Sequence, residues 1–427
     1  MSTELRRVRA AVARGVRTAA RAVVVQAHRL PTSIQAPMRA AVRRSPARVR
    51  RFVEHAAKYA VYVDPPELPR RPTPPDTAVR LFVGPANYAG QGWAWARAAE
   101  RHLPGVGART FLFVDGAFGF PVDYSVPVTM YGRSKRWQKE QREDLLSHYS
   151  HVLVEAERPV MGTLNGTWAD GDINVLRRAG VQVGLISHGS DVRIPSRHAE
   201  LFADSPFHDH SWDSVPILER TATHNARLLN RYDGHVYVST VDLLDYVPDA
   251  VWCPGIVDPE AWATDAPVLE RTVPVVVHAP SKGRMKGTQL IDPVMEELDR
   301  RGVVEYRRIQ RVEPHEMPGV YQDADIVIDQ FTMGLYGVAA CEAMAAGRVV
   351  VSFVGDAVRA RVREATGHEL PIVEATPGTL VEVIESLLDD RRAAAAAAAA
   401  GPGFVREVHD GRRSAEALRP FLLGGAA

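Results

Sequence analysis

The sequence predicts an α/β protein built from two Rossmann-like domains in tandem, preceded by a basic helical arm. Three observations predict it. Short apolar runs alternate with helix-length segments from residue 79 to residue 389, and that alternation implies parallel sheets covered on both faces. The alternation comes in two series, separated by the turn-rich stretch AVWCPGIVDPEAW at 250–262, as expected for two doubly wound halves. Charge is segregated: residues 1–51 hold 13 Arg, no Lys and one acid, Glu4, whereas the whole 427-residue chain has a net charge of only +1. A basic arm is thus attached to an acidic body.

The arm comes first. Leu5, Val8, Val12, Val16, Ala19, Val23, Ala27 and Leu30 recur at steps of three and four, which places them on one helical face. Arg6, Arg7, Arg14, Arg17, Arg21 and Arg29 fall on the other sides, and Arg9 flanks the stripe. Pro31, Pro37 and Pro46 then break the chain, and a second basic helix is expected from Pro46 through Ala60; a basic amphipathic helical arm of this kind over residues 1–61 suits an anionic membrane surface. Docking on protein and contact with nucleic acid remain open alternatives. The acidity of the body argues against a nucleic-acid partner. Residues 62–77 hold six Pro and read as an extended, semi-rigid linker.

The first domain is expected over 78–262. Residues 79–83 form its first strand, the loop GPANYAGQG follows, and 93–101 form the next helix. Further strands are expected at 152–154, 181–187 and 236–238. The second domain is expected over 263–405. Its strands are placed at 275–278, 305–309, 326–329, 349–354 and 371–373, with helices at 287–301, 313–322, 335–346, 357–365 and 377–389 between and after them. Eight consecutive Ala at 393–400 read as a helical spacer. Residues 406–427 are set apart as a tail carrying an amphipathic helix over 412–423.

Composition excludes several classes. At 46% hydrophobic and 24% charged residues the chain is not disordered throughout. Cys253 and Cys341 are too few for a disulfide scaffold and read as buried, reduced thiols. No Cys/His cluster has metal spacing, and no apolar run reaches the roughly 18–20 residues of a spanning helix. The expected location is the cytoplasm, with peripheral attachment to the inner membrane face through the arm.

Ligands of open α/β sheets bind beyond the carboxyl ends of strands, so residues just after strands carry the functional reading. Four such segments stand out. In the first loop, Gly90 and Gly92 let backbone approach a ligand, although G-x-G-x-x-G is absent and nicotinamide binding is not indicated. SHGSDVR at 187–193 brings His188, Asp191 and Arg193 to a strand end. HAPSKGRMKGT at 278–288 crowds Lys282, Arg284 and Lys286 at a helix N-terminus. Cations oppose the macrodipole there, so an anion such as a diphosphate is expected. DQFTMGLYGVAACEAMAAG at 329–347 opens a helix with glycines and carries Glu342 in an apolar stretch, where an unpaired charge is costly.

The last two segments, in this order and spacing, resemble the donor domain of retaining GT-B glycosyltransferases (the group 1, family 4-like type). KGTQLI at 286–291 and EAMAAGRVVVS at 342–352 carry the resemblance, which covers roughly residues 79–390. It implies two Rossmann-like domains facing a cleft and sugar transfer from a nucleoside-diphosphate donor to a hydroxyl of a glycan or lipid-linked acceptor. It also implies retention at the anomeric carbon and no cofactor or metal.

The resemblance assigns Lys286, helped by Lys282 and Arg284, to the diphosphate. It assigns Glu342 to the ribose hydroxyls, Gly337, Val338 and Tyr336 to phosphate or sugar, and Gly90 and Gly92 to the phosphates from across the cleft. His188 and Asp191 join Glu342 as the catalytic group, and Arg193 is given to the acceptor. Two positions depart from the pattern: Gly334 stands where a first Glu is expected, and Ser281 where an Arg is expected. They keep two alternatives open, a nucleotide-sugar-binding or assembly module without turnover and a nucleotide-sugar epimerase.

Overall fold

The computed structural model describes residues 64–114, 119–209, 211–281 and 283–424. The arm expected over 1–61 and Lys282 lie outside the described residues.

Seven strands form the first sheet: β1 (Val79–Gly84), β2 (Val106–Phe113), β3 (Tyr124–Val126), β4 (His151–Glu155), β5 (Gln182–Ser187), β6 (His235–Val238) and β7 (Val251–Trp252). Their order is β3-β2-β1-β4-β5-β6-β7 and every ladder is parallel. Five strands form the second: β8 (Val275–His278), β9 (Glu305–Arg308), β10 (Ile326–Ile328), β11 (Val349–Ser352) and β12 (Val373–Glu374). Their order is β12-β11-β10-β8-β9, again all parallel. This is the GT-B architecture.

The two orders fix where a ligand can enter. Strand order reverses between β1 and β4 in the first sheet and between β8 and β10 in the second. Helices leave to opposite faces at such a point and open a crevice beyond the strand ends.

The apolar runs become strands because both faces of each are covered. Val276, Val277, Ile326, Ile328 and Val351 are buried to 2% exposure or less. Strands β2 and β3 have no counterpart in the sequence reading. Arg109 and Thr110 interrupt the apolar run of β2. Thr110 is nonetheless buried, because Asp123 accepts from its N–H (2.8 Å) and its hydroxyl (3.0 Å).

Three expectations are corrected by packing. The Pro-rich stretch is not a spacer over its described part: it is strapped to the first domain. Arg71 donates to Glu140 Oε2 (3.1 Å), Arg109 donates to the Thr73 carbonyl (2.8 Å), and Pro75 lies where a Cβ on Gly107 would sit, at 2.5 Å. The Ala run is not an idle spacer either, since Ala394 and Ala398 are buried against the second sheet's core. The last helix, Arg412–Leu423, forms as expected but packs on the first domain rather than standing apart. Its Ala415, Leu418, Phe421 and Leu422 join Leu81, Val83 and Trp95 in one cluster.

The chain therefore crosses between the domains twice, and the crossings run side by side. Val257 N–H donates to the His409 carbonyl (2.9 Å) and the Ser414 hydroxyl to the Pro254 carbonyl (2.9 Å). Cys253 and Cys341 are buried free thiols, as expected.

Candidate active site

A cleft of about 510 Å³ lies between the two domains, and both switch points open into it. From the first domain it takes Tyr88, Gln91, Arg158, His188, Asp191 and Arg193. From the second it takes Lys286, Asp329, Tyr336, Gly337, Val338 and Cys341.

On the second-domain side the carboxyl end of β10 supplies Asp329. The short helix Gly283–Lys286 after β8 supplies Lys286, whose ammonium is bonded to Asp329 Oδ1. The other carboxylate oxygen, Oδ2, is buried without a partner. Glu342 lies one turn into the helix Val338–Ala345 and is half-buried beside the same pair. Burial pushes its carboxyl up to about 8; Lys286 pulls it down and Asp329 raises it further. That helix starts on Gly337 with no side-chain cap, so its first N–H groups are open at the cleft. Tyr336 is buried with its hydroxyl 3.2 Å from His409 Nε2. His409 is itself held by the Gly255 carbonyl at 2.7 Å and pushed down to about 4 by burial.

On the first-domain side the carboxyl end of β4 supplies Glu155, which is fully buried. The loop after β1 wraps its carboxylate: the N–H groups of Ala86 and Asn87 donate to it at 3.0–3.1 Å. His188 Nε2 lies 3.0 Å from Oε1. The imidazole also packs on Tyr88 and Trp95, both 5.2 Å away centroid to centroid. Behind it, Ala156 and Glu157 take left-handed conformations (φ 54° and 49°), an unusual backbone for residues with a Cβ. The turn places Glu157 under Ser187, whose hydroxyl donates to it at 2.9 Å. Burial, with Asp191 adding to it, pushes the Glu157 carboxyl well above the usual carboxylate range.

His188, Asp191, Arg193, Lys286, Tyr336, Gly337 and Val338 are thus brought to one cleft, with Glu342 just behind its wall. Several serve differently from the expectation. Asp191 is spent on its own loop, accepting from the N–H of His188 (2.8 Å) and Gly189 (2.6 Å). Arg193 is buried, and its guanidinium donates to Asp242 (Nε to Oδ2, 3.1 Å) at the edge of the cleft. Arg284 is exposed and turns away from the cleft to Asp209 and the Trp212 ring.

Gly92 is required because a Cβ there would lie 2.7 Å from the Glu155 carboxylate, and Gly90 is left-handed (φ +72°) against Phe120. Neither lines the cleft; Ala89 and Gln91 do.

Gly334 explains itself. It is left-handed (φ +65°), and a Cβ would lie 2.5 Å from the Phe202 ring. A Glu has no room at this position. The sequence reading missed Glu155 as a site residue. A carboxylate closing the apolar strand HVLVE was the available signal, as Asp329 is after IVI.

No family model and no curated protein matches the sequence. Among solved structures the chain is similar to Anabaena HepE in complex with UDP and glucose (TM-score 0.51, 15% identity, 79% of this chain and 97% of that one). It is similar also to the sucrose-phosphate synthase of Thermosynechococcus elongatus (0.50, 13%, 79% and 96%). A glycosyltransferase of Rickettsia africae compares likewise (0.50, 11%, 81% and 98%). At such identities the likeness establishes the GT-B fold.

Proposed function

We propose that the protein transfers a sugar from a nucleoside diphosphate to a hydroxyl acceptor. One observation carries the reading: the second-domain switch point holds Lys286 beside Asp329, one of whose carboxylate oxygens is buried without a partner, and beside Glu342, at an uncapped helix N-terminus. The cation and the helix N–H groups suit a diphosphate. A buried carboxylate oxygen without a donor is costly, and sugar or ribose hydroxyls are donors of the right kind. The UDP and glucose held by HepE in the same fold support the choice of donor class.

In this reading Lys286 and the first turn after Gly337 hold the diphosphate and stabilise its charge as it leaves. Glu342 and Asp329 take hydroxyl groups of the donor. The first domain presents the acceptor from the His188 side. The basic residues of 1–61 are proposed to hold the enzyme at an anionic membrane surface, where a lipid-linked glycan acceptor would be found.

Release of nucleoside diphosphate from a donor panel, with a glycan extract as acceptor, tests the reading. Wild type should turn over and Lys286→Ala should not. Equal inactivity of folded wild type and variant, with donor binding intact by calorimetry, would leave a binding module instead. Vesicle co-sedimentation of the full chain against one starting at residue 78 tests the arm; equal binding would remove the membrane from the proposal.

A further inference from the structure

The first-domain wall of the cleft carries a cation that the donor reading leaves unused. Arg158 lines the cleft and is exposed. Its guanidinium lies over the rings of Tyr88 (5.7 Å) and Phe113 (5.5 Å). Among the described residues no carboxylate pairs with it, whereas the other guanidinium of that wall, Arg193, donates to Asp242. We infer that Arg158 reads an oxyanion on the acceptor, so that the acceptor is an acidic glycan unit bearing a carboxylate or a phosphate. The inference rests on the sugar-transfer reading above.

Both sides of this small site are held by unusual backbone. Arg158 follows the left-handed pair Ala156 and Glu157 at the end of β4. Its own N–H donates to the Glu155 carbonyl (3.1 Å), and the carbonyl of the next residue, Pro159, accepts from the Tyr131 hydroxyl (2.6 Å). Tyr88 sits at the end of β1 between Asn87 (φ 45°) and Ala89 (φ 50°), again left-handed. The Asn87 side chain pins that loop, donating to the Pro121 carbonyl (2.9 Å) and accepting from the Trp93 N–H (3.0 Å). Phe113 closes the back by stacking on Tyr131 at 4.0 Å. Two adjacent switch-point strands thus end in strained turns that bring one ring and one guanidinium together over the cleft. Strain of this kind persists where the surroundings over-determine it, and it gathers at ligand sites.

The neighbouring acids leave the cation available. The Glu155 and Asp191 carboxylates already accept backbone N–H groups. Glu157 is buried behind the wall, and burial holds its carboxyl well above the usual range, which favours the uncharged form. A guanidinium packed on aromatic rings keeps its N–H edge for a ligand, and that fork matches carboxylate and phosphate oxygens. The donor diphosphate has its own cation, Lys286, and its own helix N-terminus on the opposite wall. An anion met by Arg158 therefore belongs to the partner bound on the first domain.

Two measurements on the full chain test the inference. Saturation-transfer NMR titrations compare methyl glucosides, galactosides and mannosides, each as the neutral sugar, its uronate and its 6-phosphate, with UDP present. At least one acidic form should bind about tenfold or more tighter than its neutral counterpart, and the uronate and phosphate arms show which anion is read. Arg158→Gln should erase the preference and Arg158→Lys should keep part of it; the side chain is exposed, so both variants should fold. Equal binding of acidic and neutral forms, or a preference that survives Arg158→Gln, would overturn the inference. Turnover with UDP- and GDP-sugars gives the second reading: Arg158→Gln should raise the acceptor KM about tenfold and spare the donor KM. A rise in the donor KM instead would place Arg158 on the diphosphate and overturn the inference while upholding sugar transfer. An intact acidic preference with no transfer from any donor would sink the sugar-transfer reading and leave an oxyanion-binding site.

Discussion

The two switch points of this molecule are built to the same topological rule and finished in opposite ways. In the first domain the strand-end carboxylate, Glu155, is enclosed by Ala86, Asn87 and His188, and its oxygens have protein donors. In the second domain the strand-end carboxylate, Asp329, has one oxygen on Lys286 and the other without a partner, and Glu342 beside it is pushed up to about 8. A satisfied carboxylate orients its neighbour and holds its own geometry. An unsatisfied one stores free energy that a ligand hydroxyl can recover. On the proposed reading, the difference separates a half that holds an imidazole in place from a half whose open carboxylate a donor hydroxyl would satisfy.

The largest expected effect tests the waiting half. Lys286→Ala should lower kcat by about 10²–10³-fold, or ~2.7–4 kcal/mol of transition-state stabilisation, in a nucleoside diphosphate release assay. A loss confined to KM would move Lys286 from charge stabilisation to simple binding.

Next, the comparison itself can be broken by paired substitutions. Glu155→Gln sets an NH2 group against backbone donors in a buried site and should cost about 1–3 kcal/mol. Asp329→Asn keeps an oxygen for Lys286 but removes its charge partner and should cost at least as much. Denaturant melts in which Asp329→Asn is clearly the milder change would refute that pairing.

Gly334→Glu probes why a carboxylate is missing from the second half. Left-handed strain and the Phe202 contact should lower stability by about 1–3 kcal/mol without a gain in activity. The Phe202→Ala background should recover part of the loss in melting temperature.

A pH effect comes next. The Glu342 carboxyl is raised from 4.5 to about 8 in the fold, so the folded state binds the extra proton between those values. Stability from this group is full below about 4.5 and lost as pH rises toward 8. Glu342→Gln should flatten that slope in melts between pH 5 and 8; an unchanged slope would mean that Glu342 titrates as an exposed group. The smallest effect is expected at the domain edge. The Asp209–Arg284 pair is exposed on both sides, so Asp209→Ala should shift stability by less than about 1 kcal/mol.

The legibility of the two halves differed in the same way. Lys286 and Glu342 were readable because their chemistry sits in contiguous motifs next to a strand and within a helix. The Glu155–His188 pair was half readable. His188 followed an apolar strand, but its partner lies 33 positions earlier and reaches it only through the ladder of β4 with β5. Arg193 and Arg284 read as free cations, because their neutralising partners, Asp242 and Asp209, lie elsewhere in the chain.

By itself the sequence determined the elements and their parallel class: apolar strand runs, helix periodicity and the two-series order are local properties. It also determined which loops carry glycines and charges. Only the tertiary structure decided the strand orders, the strapping of residues 64–77 and the return of the Arg412–Leu423 helix to the first domain. It alone decided which charges are neutralised and which are left for a ligand. The physical reason is that burial and partnering depend on residues distant in the chain, and the free energy of a charge is set by what surrounds it rather than by its neighbours in sequence.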